Sequence, residues 1–161
     1  GHFGKTIVRN FLHDTFSFLF YTKLSESKDE TLAALAAKSL KEVKYHLRHS
    51  TNWLIRLGDG TEESNAKVQE SLEEIWQFTA ELFEMDEIDT ELLNAEIAVD
   101  NKALKLEWDE IINSTLKKAK LKRPEDSYMA TGGKKGMHTE YLGFLLAEMQ
   151  FLQRAYPDAK W

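Results

Sequence analysis

One stretch of the sequence places a carboxylate and imidazole groups at helical spacing. In KEVKYHLRHS, residues 41–50, Glu42 lies four residues before His46, and His49 follows three residues later. Residues three and four apart lie on the same side of a helix. Carboxylate and imidazole groups held in this way bind iron in helical bundles. The stretch therefore raises the hypothesis of a metal site, with Glu42 and His46 as candidate ligands or as the remains of a lost site.

The sequence lacks the motif that a di-iron bundle requires. Such a bundle takes a Glu from each of two helices and a Glu-x-x-His pair from each of the other two. The residues three before a histidine are Asn10, Val43, His46 and Lys135, and His2 lies too close to the start to have one. Half of the expected ligands are therefore missing, and we predict no metal site in this chain.

Asp14 is a third candidate ligand, because a helical wheel places it among apolar residues. It falls between Ile7 and Phe18 on the apolar side of its helix. A carboxylate in such a position must be paired, protonated or bound to a metal. We predict a hydrogen bond to a neighbouring His, Tyr or Lys. The alternative is a metal site to which Asp14, Glu42 and His46 contribute.

The segment TGGKKG, residues 131–136, superficially resembles a phosphate-binding loop. It lacks the spacing and the terminal Lys-Ser/Thr of a Walker motif, and no strand precedes it. Gly132, Gly133, Lys134, Lys135 and Gly136 stand just before a predicted helix, where an anion is attracted by free N–H groups. We predict a flexible loop leading into a helix, and we keep anion binding as the alternative.

The composition excludes several classes of function. The 161 residues contain no cysteine, which excludes disulfides and thiolate chemistry in this chain and suits a cytoplasmic protein. The formal net charge of −6 argues against a nucleic-acid partner. No apolar run in the sequence approaches the length of a membrane span, so no membrane partner is expected.

The pattern of apolar residues predicts an all-α fold with no sheet. We predict one domain over residues 1–161. The first predicted helix covers residues 3–24, and the second is capped by Ser27 or Asp29 and ends at Gly58. The third predicted helix begins at Thr61 or Ser64 and has an inward side from Val68 to Phe83. A fourth helix is capped by Asp100, and the last covers residues 138–156.

The first and last helices carry more apolar surface than a lone bundle covers. In the last helix, Phe144 and Phe151 lie on one side while Leu145 and Met149 lie on another. A helix that is apolar on most sides must be covered on most sides. We therefore expect preceding helices, a partner subunit or both to supply the cover. A homodimer formed in the absence of that partner also stays open.

Several stretches, in order along the chain, resemble one family. They are LAAKSLKEVKYHLRHS, RLGDGTEES, WQFTAELFEMDEID and GGKKGMHTEYLGFLLAEMQFLQRAYPDAKW. Together they resemble the C subunit of bacterial phenylacetyl-CoA epoxidase, also called ring-1,2-phenylacetyl-CoA monooxygenase, over essentially the whole chain. Members of that family carry an additional N-terminal portion, so we expect this chain to begin inside the family pattern.

The resemblance implies a ferritin-like helical bundle with additional C-terminal helices, without its metals and without a cofactor of its own. In the multicomponent enzyme, a related A subunit holds the di-iron centre and oxidises the aromatic ring, and a reductase delivers electrons from NADPH. The C subunit pairs with the A subunit as a structural partner. Where a metal-binding relative carries Glu-x-x-His, this sequence reads Val43 to His46. The resemblance thus implies a non-catalytic component of a monooxygenase complex in phenylacetate catabolism.

Two other functions stay open. The first is a metal-dependent ferritin-like oxygenase acting in its own right, with Asp14, Glu42 and His46 supplying part of its site. The second is binding of the CoA phosphates at Lys134 and Lys135, which would place this subunit beside the substrate of the complex.

Overall fold

The structure is a computed structural model that describes residues 1–160. It divides into two compact units, Gly1–Ala130 and the segment from Thr131 onwards, and each is described by itself. Every regular element of the described residues is helical, which confirms the predicted all-α, ferritin-like class of fold. The prediction of one domain over 1–161 stays a prediction. Within residues 1–160, no helix has the length and apolar character needed to cross a bilayer.

The first two helices begin and end close to the predicted positions, and the first unit also contains a 3-10 helix and a short helix that were not predicted. The helices of the first unit are α1 (Phe3–Leu24), α2 (Glu30–Gly58), α3 (Glu62–Trp76), a 3-10 helix (Ala80–Phe83), α4 (Glu87–Asn94) and α5 (Leu104–Lys118). Asp29 caps α2, since its carboxylate accepts from the backbone N–H groups of Thr31 and Leu32 at 2.9 Å each. Both candidates for the start of α3 take part, because Thr61 and Ser64 form a reciprocal capping box.

The third helix is shorter than its apolar pattern predicts. The pattern continues to Phe83, but α3 ends at Trp76 and the chain tightens into 3-10 geometry. Thr79 explains part of this change, because its hydroxyl donates to the backbone oxygen of Trp76 at 2.8 Å and competes for that acceptor. Phe83 is nevertheless buried, so the inward side predicted for this segment is retained by a different local structure.

The fourth predicted helix begins later than expected. Asp100 accepts a hydrogen bond from the backbone N–H of Ala103 at 3.1 Å, but α5 itself starts at Leu104. The intervening residues form a turn that leads into the helix.

The core of the first unit surrounds α1, which packs against α2, α3 and α5. Trp108 of α5 is the largest fully buried side chain. Its Nε1 donates to the backbone oxygen of Leu12 at 3.0 Å, and its ring lies 5.8 Å from that of Trp76 and 5.4 Å from that of Phe83. Helices of the same unit thus cover much of the apolar surface of α1, whereas the sequence analysis expected preceding helices or a partner subunit to supply that cover.

The second unit contains a short 3-10 helix at Gly133–Lys135 and α6 at Tyr141–Ala155. The last helix starts three residues after its predicted start at His138 and ends before Pro157, as expected. No residue of α6 is buried. This helix is one of the two that were predicted to need cover from outside the bundle.

Candidate functional site

Asp14 and Ser50 form a polar contact between α1 and α2. The hydroxyl of Ser50 lies 2.8 Å from Oδ2 of Asp14 and donates to it, and Ser50 is almost fully buried while Asp14 is half-buried. The predicted polar partner of Asp14 is therefore present, but it is a serine instead of the expected His, Tyr or Lys. The partner of Asp14 depends on how α2 packs against α1, and this packing places Ser50 opposite Asp14.

The other two candidate ligands, Glu42 and His46, are exposed on α2. The neighbouring rings make aromatic contacts: Tyr45 stacks on His49 with centroids 6.4 Å apart, and the guanidinium of Arg48 lies 5.5 Å from the centre of the Tyr45 ring. Among residues 1–160, no three His, Asp or Glu side chains are grouped closely enough to hold a metal ion. Asp14, Glu42 and His46 therefore do not form a three-ligand cluster.

The glycine-rich loop has a tight turn of its own. Gly132 and Gly136 adopt left-handed backbone conformations, with φ of +88° and +84°, which favour glycine. The carbonyl of Gly132 accepts from the N–H groups of Lys135 at 2.8 Å and Met137 at 3.0 Å. These two N–H groups are engaged inside the turn, and residues 137–140 separate the loop from α6. Anion binding by Gly132–Gly136 stays a prediction. The loop does not lead directly into the N-terminus of α6, which was the reason for expecting an anion there.

A network around Arg123 is a feature that the sequence analysis missed. The guanidinium of Arg123 donates to Asp109 at 2.8 Å and to Asn113 at 3.0 Å. It also lies 4.8 Å from the centre of the Trp76 ring, and Nε1 of Trp76 donates to Asp126 at 2.7 Å. The network fastens the segment after α5 onto α3 and α5. Its members are 3 to 50 positions apart in the sequence, so no local motif marks it.

The network changes the ionisation of Asp109. Partial burial by itself would raise the pKa of this carboxyl, but hydrogen bonds from Lys105 and Arg123 and their positive charges outweigh burial and lower the pKa. Beside the network is an open cavity of about 510 Å³, whose lining includes Lys122, Glu125 and Tyr128. Because the Arg123 guanidinium is already engaged, the cavity offers a mixed-charge surface and no convergent catalytic group.

We expect Asp109→Asn to lower the free energy of unfolding by about 1–2 kcal/mol at neutral pH, because it removes charged partners of Arg123 and Lys105. The pKa of Asp109 is lower in the folded protein than its ordinary value of 3.8, so the ionised carboxylate stabilises the fold at pH values above 3.8. This contribution is lost as the pH falls through the folded-state pKa. The difference between variant and wild type should therefore shrink below about pH 4. Denaturant unfolding at several pH values measures both effects.

The matched control is Glu110→Gln, which removes the charge of the exposed neighbour on the same helix. It should change the free energy of unfolding by less than about 0.5 kcal/mol. Equal losses for the two variants at all pH values would show that the Arg123 network contributes nothing specific to stability.

Comparison with known proteins places these features in a family. The whole chain, residues 1–161, matches the family described as phenylacetic acid catabolic protein, and the chain therefore belongs to that family. It is 47% identical over 161 residues to the C subunit of 1,2-phenylacetyl-CoA epoxidase from Escherichia coli (strain K12). The aligned region is 100% of this chain and 65% of that relative. The resemblance predicted from the sequence is confirmed.

Proposed function

We propose that this chain is a structural, non-catalytic subunit of a multicomponent monooxygenase that oxidises the ring of phenylacetyl-CoA. Its role is to bind and stabilise the catalytic di-iron subunit during aerobic phenylacetate degradation in the cytoplasm. The observation that carries the proposal is the 47% identity, along the entire chain, to a relative named as the C subunit of a phenylacetyl-CoA epoxidase.

The residues of this chain support a non-catalytic role. The 161 residues contain no Glu-x-x-His pair, which a di-iron bundle draws from two of its helices. The carboxylate of Asp14 accepts the hydroxyl of Ser50, and Glu42 and His46 face solvent. A hydrogen-bonded carboxylate between helices is a structural contact that needs no metal. The iron, the oxygen chemistry and the CoA substrate are assigned by this proposal to the A-type partner.

The proposal is tested by coexpressing this chain with the A-type subunit, purifying the complex and measuring its composition. We expect the two chains to elute together in equal amounts, with iron bound to the A-type subunit. We also expect the A-type subunit to lose thermal stability when it is prepared alone, because a stabilising partner acts by binding the folded state. Light scattering and elemental analysis of the separated chains measure these outcomes.

The competing function is a metal-dependent oxygenase acting in its own right. The observation that favours it is the half-buried carboxylate of Asp14. Stoichiometric iron or manganese in this chain after separation, or turnover of phenylacetyl-CoA by it alone, would support that function against ours. Separate elution of the two chains at micromolar concentration would also contradict the structural role.

A further inference from the structure

Residues 121–130, which we call the strap, run alongside α3 without forming a helix. The strap begins at Leu121, which is 7% exposed, and near its end Met129 packs against the core with its side chain partly buried. None of residues 122–128 is buried. The strap is therefore attached to the apolar core near its two ends, while its middle adds no buried side chain to that core.

Backbone hydrogen bonds fix the strap to α3 at two points. The side chain of Gln69 binds Lys122 twice, since its Oε1 accepts from the backbone N–H at 2.9 Å and its Nε2 donates to the backbone oxygen at 3.1 Å. At the other end, the N–H of Ala130 donates to the backbone oxygen of Gln77 at 2.8 Å. Both the two helix positions and the two strap positions lie eight residues apart.

The strap contains more chain than the distance between these two points requires. Eight residues of an α-helix rise about 12 Å, whereas eight residues of extended chain can span about 26–29 Å. The excess length allows the middle of the strap to stand away from the helix. The open cavity of about 510 Å³ is lined by Trp76 of α3 and by Pro124 and Tyr128 of the strap. The middle of the strap is thus held beside α3 without being closely packed against it.

The strap completes the burial of Trp76, which is 2% exposed. Two strap residues contact its indole: Asp126 accepts from Nε1 at 2.7 Å, and the guanidinium of Arg123 lies 4.8 Å from the ring centre. The ring of Trp108, on the core side, lies 5.8 Å away. Removal of the strap would therefore expose the indole N–H of Trp76 and leave its contact with the core in place.

We propose that the strap opens and closes over this cavity as one cooperative segment, while the helices of the first unit stay folded. The closed state is held mainly by hydrogen bonds at the surface, each of which contributes little net stability because water competes for the same groups. Unfolding the helices would instead expose the apolar core. Segments with few buried apolar contacts open at a lower free energy than the core does. The strap therefore controls access to the indole of Trp76.

Native-state hydrogen exchange of the full chain, followed by NMR at low denaturant concentrations, tests this proposal. The backbone N–H groups of Lys122 and Ala130 are both hydrogen-bonded in the closed strap. We expect them to share one opening equilibrium constant, at least about 100-fold larger than that of Ile112, a fully buried residue of α5. Their opening should depend only weakly on denaturant, because little surface becomes exposed.

Gln69→Ala tests whether the strap opens as a unit, because it removes both hydrogen bonds to Lys122. We expect the opening constant measured at Ala130, at the far end of the strap, to rise about tenfold. The matched control is Gln77→Ala. The Gln77 side chain lines the same cavity but donates to the backbone oxygen of Glu74, so this variant should change the opening constant less than about twofold.

Two results would overturn the proposal. If Lys122 and Ala130 exchanged with the opening constant and the denaturant dependence of Ile112, the strap would open only when the whole unit unfolds. If Gln69→Ala accelerated exchange at Lys122 and left Ala130 unchanged, the two ends would open independently and the strap would not be a cooperative segment.

Discussion

Replacing Trp108 by alanine is expected to lower the free energy of unfolding by about 3–5 kcal/mol. The side chain is 1% exposed and is the largest of the fully buried residues. Its ring fills the space between Trp76 and Phe83, and its Nε1 donates to the backbone oxygen of Leu12. Truncation therefore leaves a cavity and removes a hydrogen bond that links α5 to α1. Denaturant unfolding followed by circular dichroism measures the loss.

Leu106→Ala is the matched control on the same helix, because Leu106 is 73% exposed. It should change the free energy of unfolding by less than about 0.5 kcal/mol. Trp108→Phe separates the two contributions, since it retains an aromatic ring but loses the indole donor. If Trp108→Ala unfolded at the same denaturant concentration as Leu106→Ala, the packing described for α5 against α1 would be wrong.

The second large effect is expected from Gly58→Ala at the end of α2. A Cβ added to Gly58 would overlap the backbone oxygen of Ala119 and approach the Ala119 Cβ to 3.0 Å. The overlap is with backbone, which cannot move aside as a flexible side chain can, so the ends of α2 and α5 must separate. We expect a loss of about 2–3 kcal/mol in the free energy of unfolding, measured by the same denaturant experiment.

Gly143→Ala provides the control for glycine replacement in a helix. No atom lies within 4 Å of a Cβ added at Gly143, and alanine favours helix over glycine by about 1 kcal/mol. This variant should therefore not be destabilised. A Gly58→Ala variant as stable as wild type would contradict the close approach of α2 and α5, whatever the behaviour of Gly143→Ala.

Trp108 and Gly58 belong to the first unit, where α1 is covered by three other helices. We therefore expect Trp108→Ala and Gly58→Ala to destabilise the isolated chain, without any partner being present.

Local features were predictable because their physical causes lie within a few residues. Asp29 caps α2 through N–H groups two and three positions away, and Thr61 and Ser64 close their capping box across three positions. The apolar spacing likewise identified α1 and the inward side of α3, since side chains at helical spacing share a face. The sequence alone also established the missing Glu-x-x-His pair and the family resemblance.

Contacts between helices were decided only by the tertiary structure. Asp14 meets Ser50, 36 positions away, and not the His, Tyr or Lys expected from its polarity. Arg123 meets Asp109 and the ring of Trp76 because the chain folds back after α5. Periodicity gives the direction of a side chain from its own helix axis but not the distance or rotation of the neighbouring helix. The sequence by itself therefore determined which helices form and which faces are apolar, whereas packing determined the partner of each buried polar group.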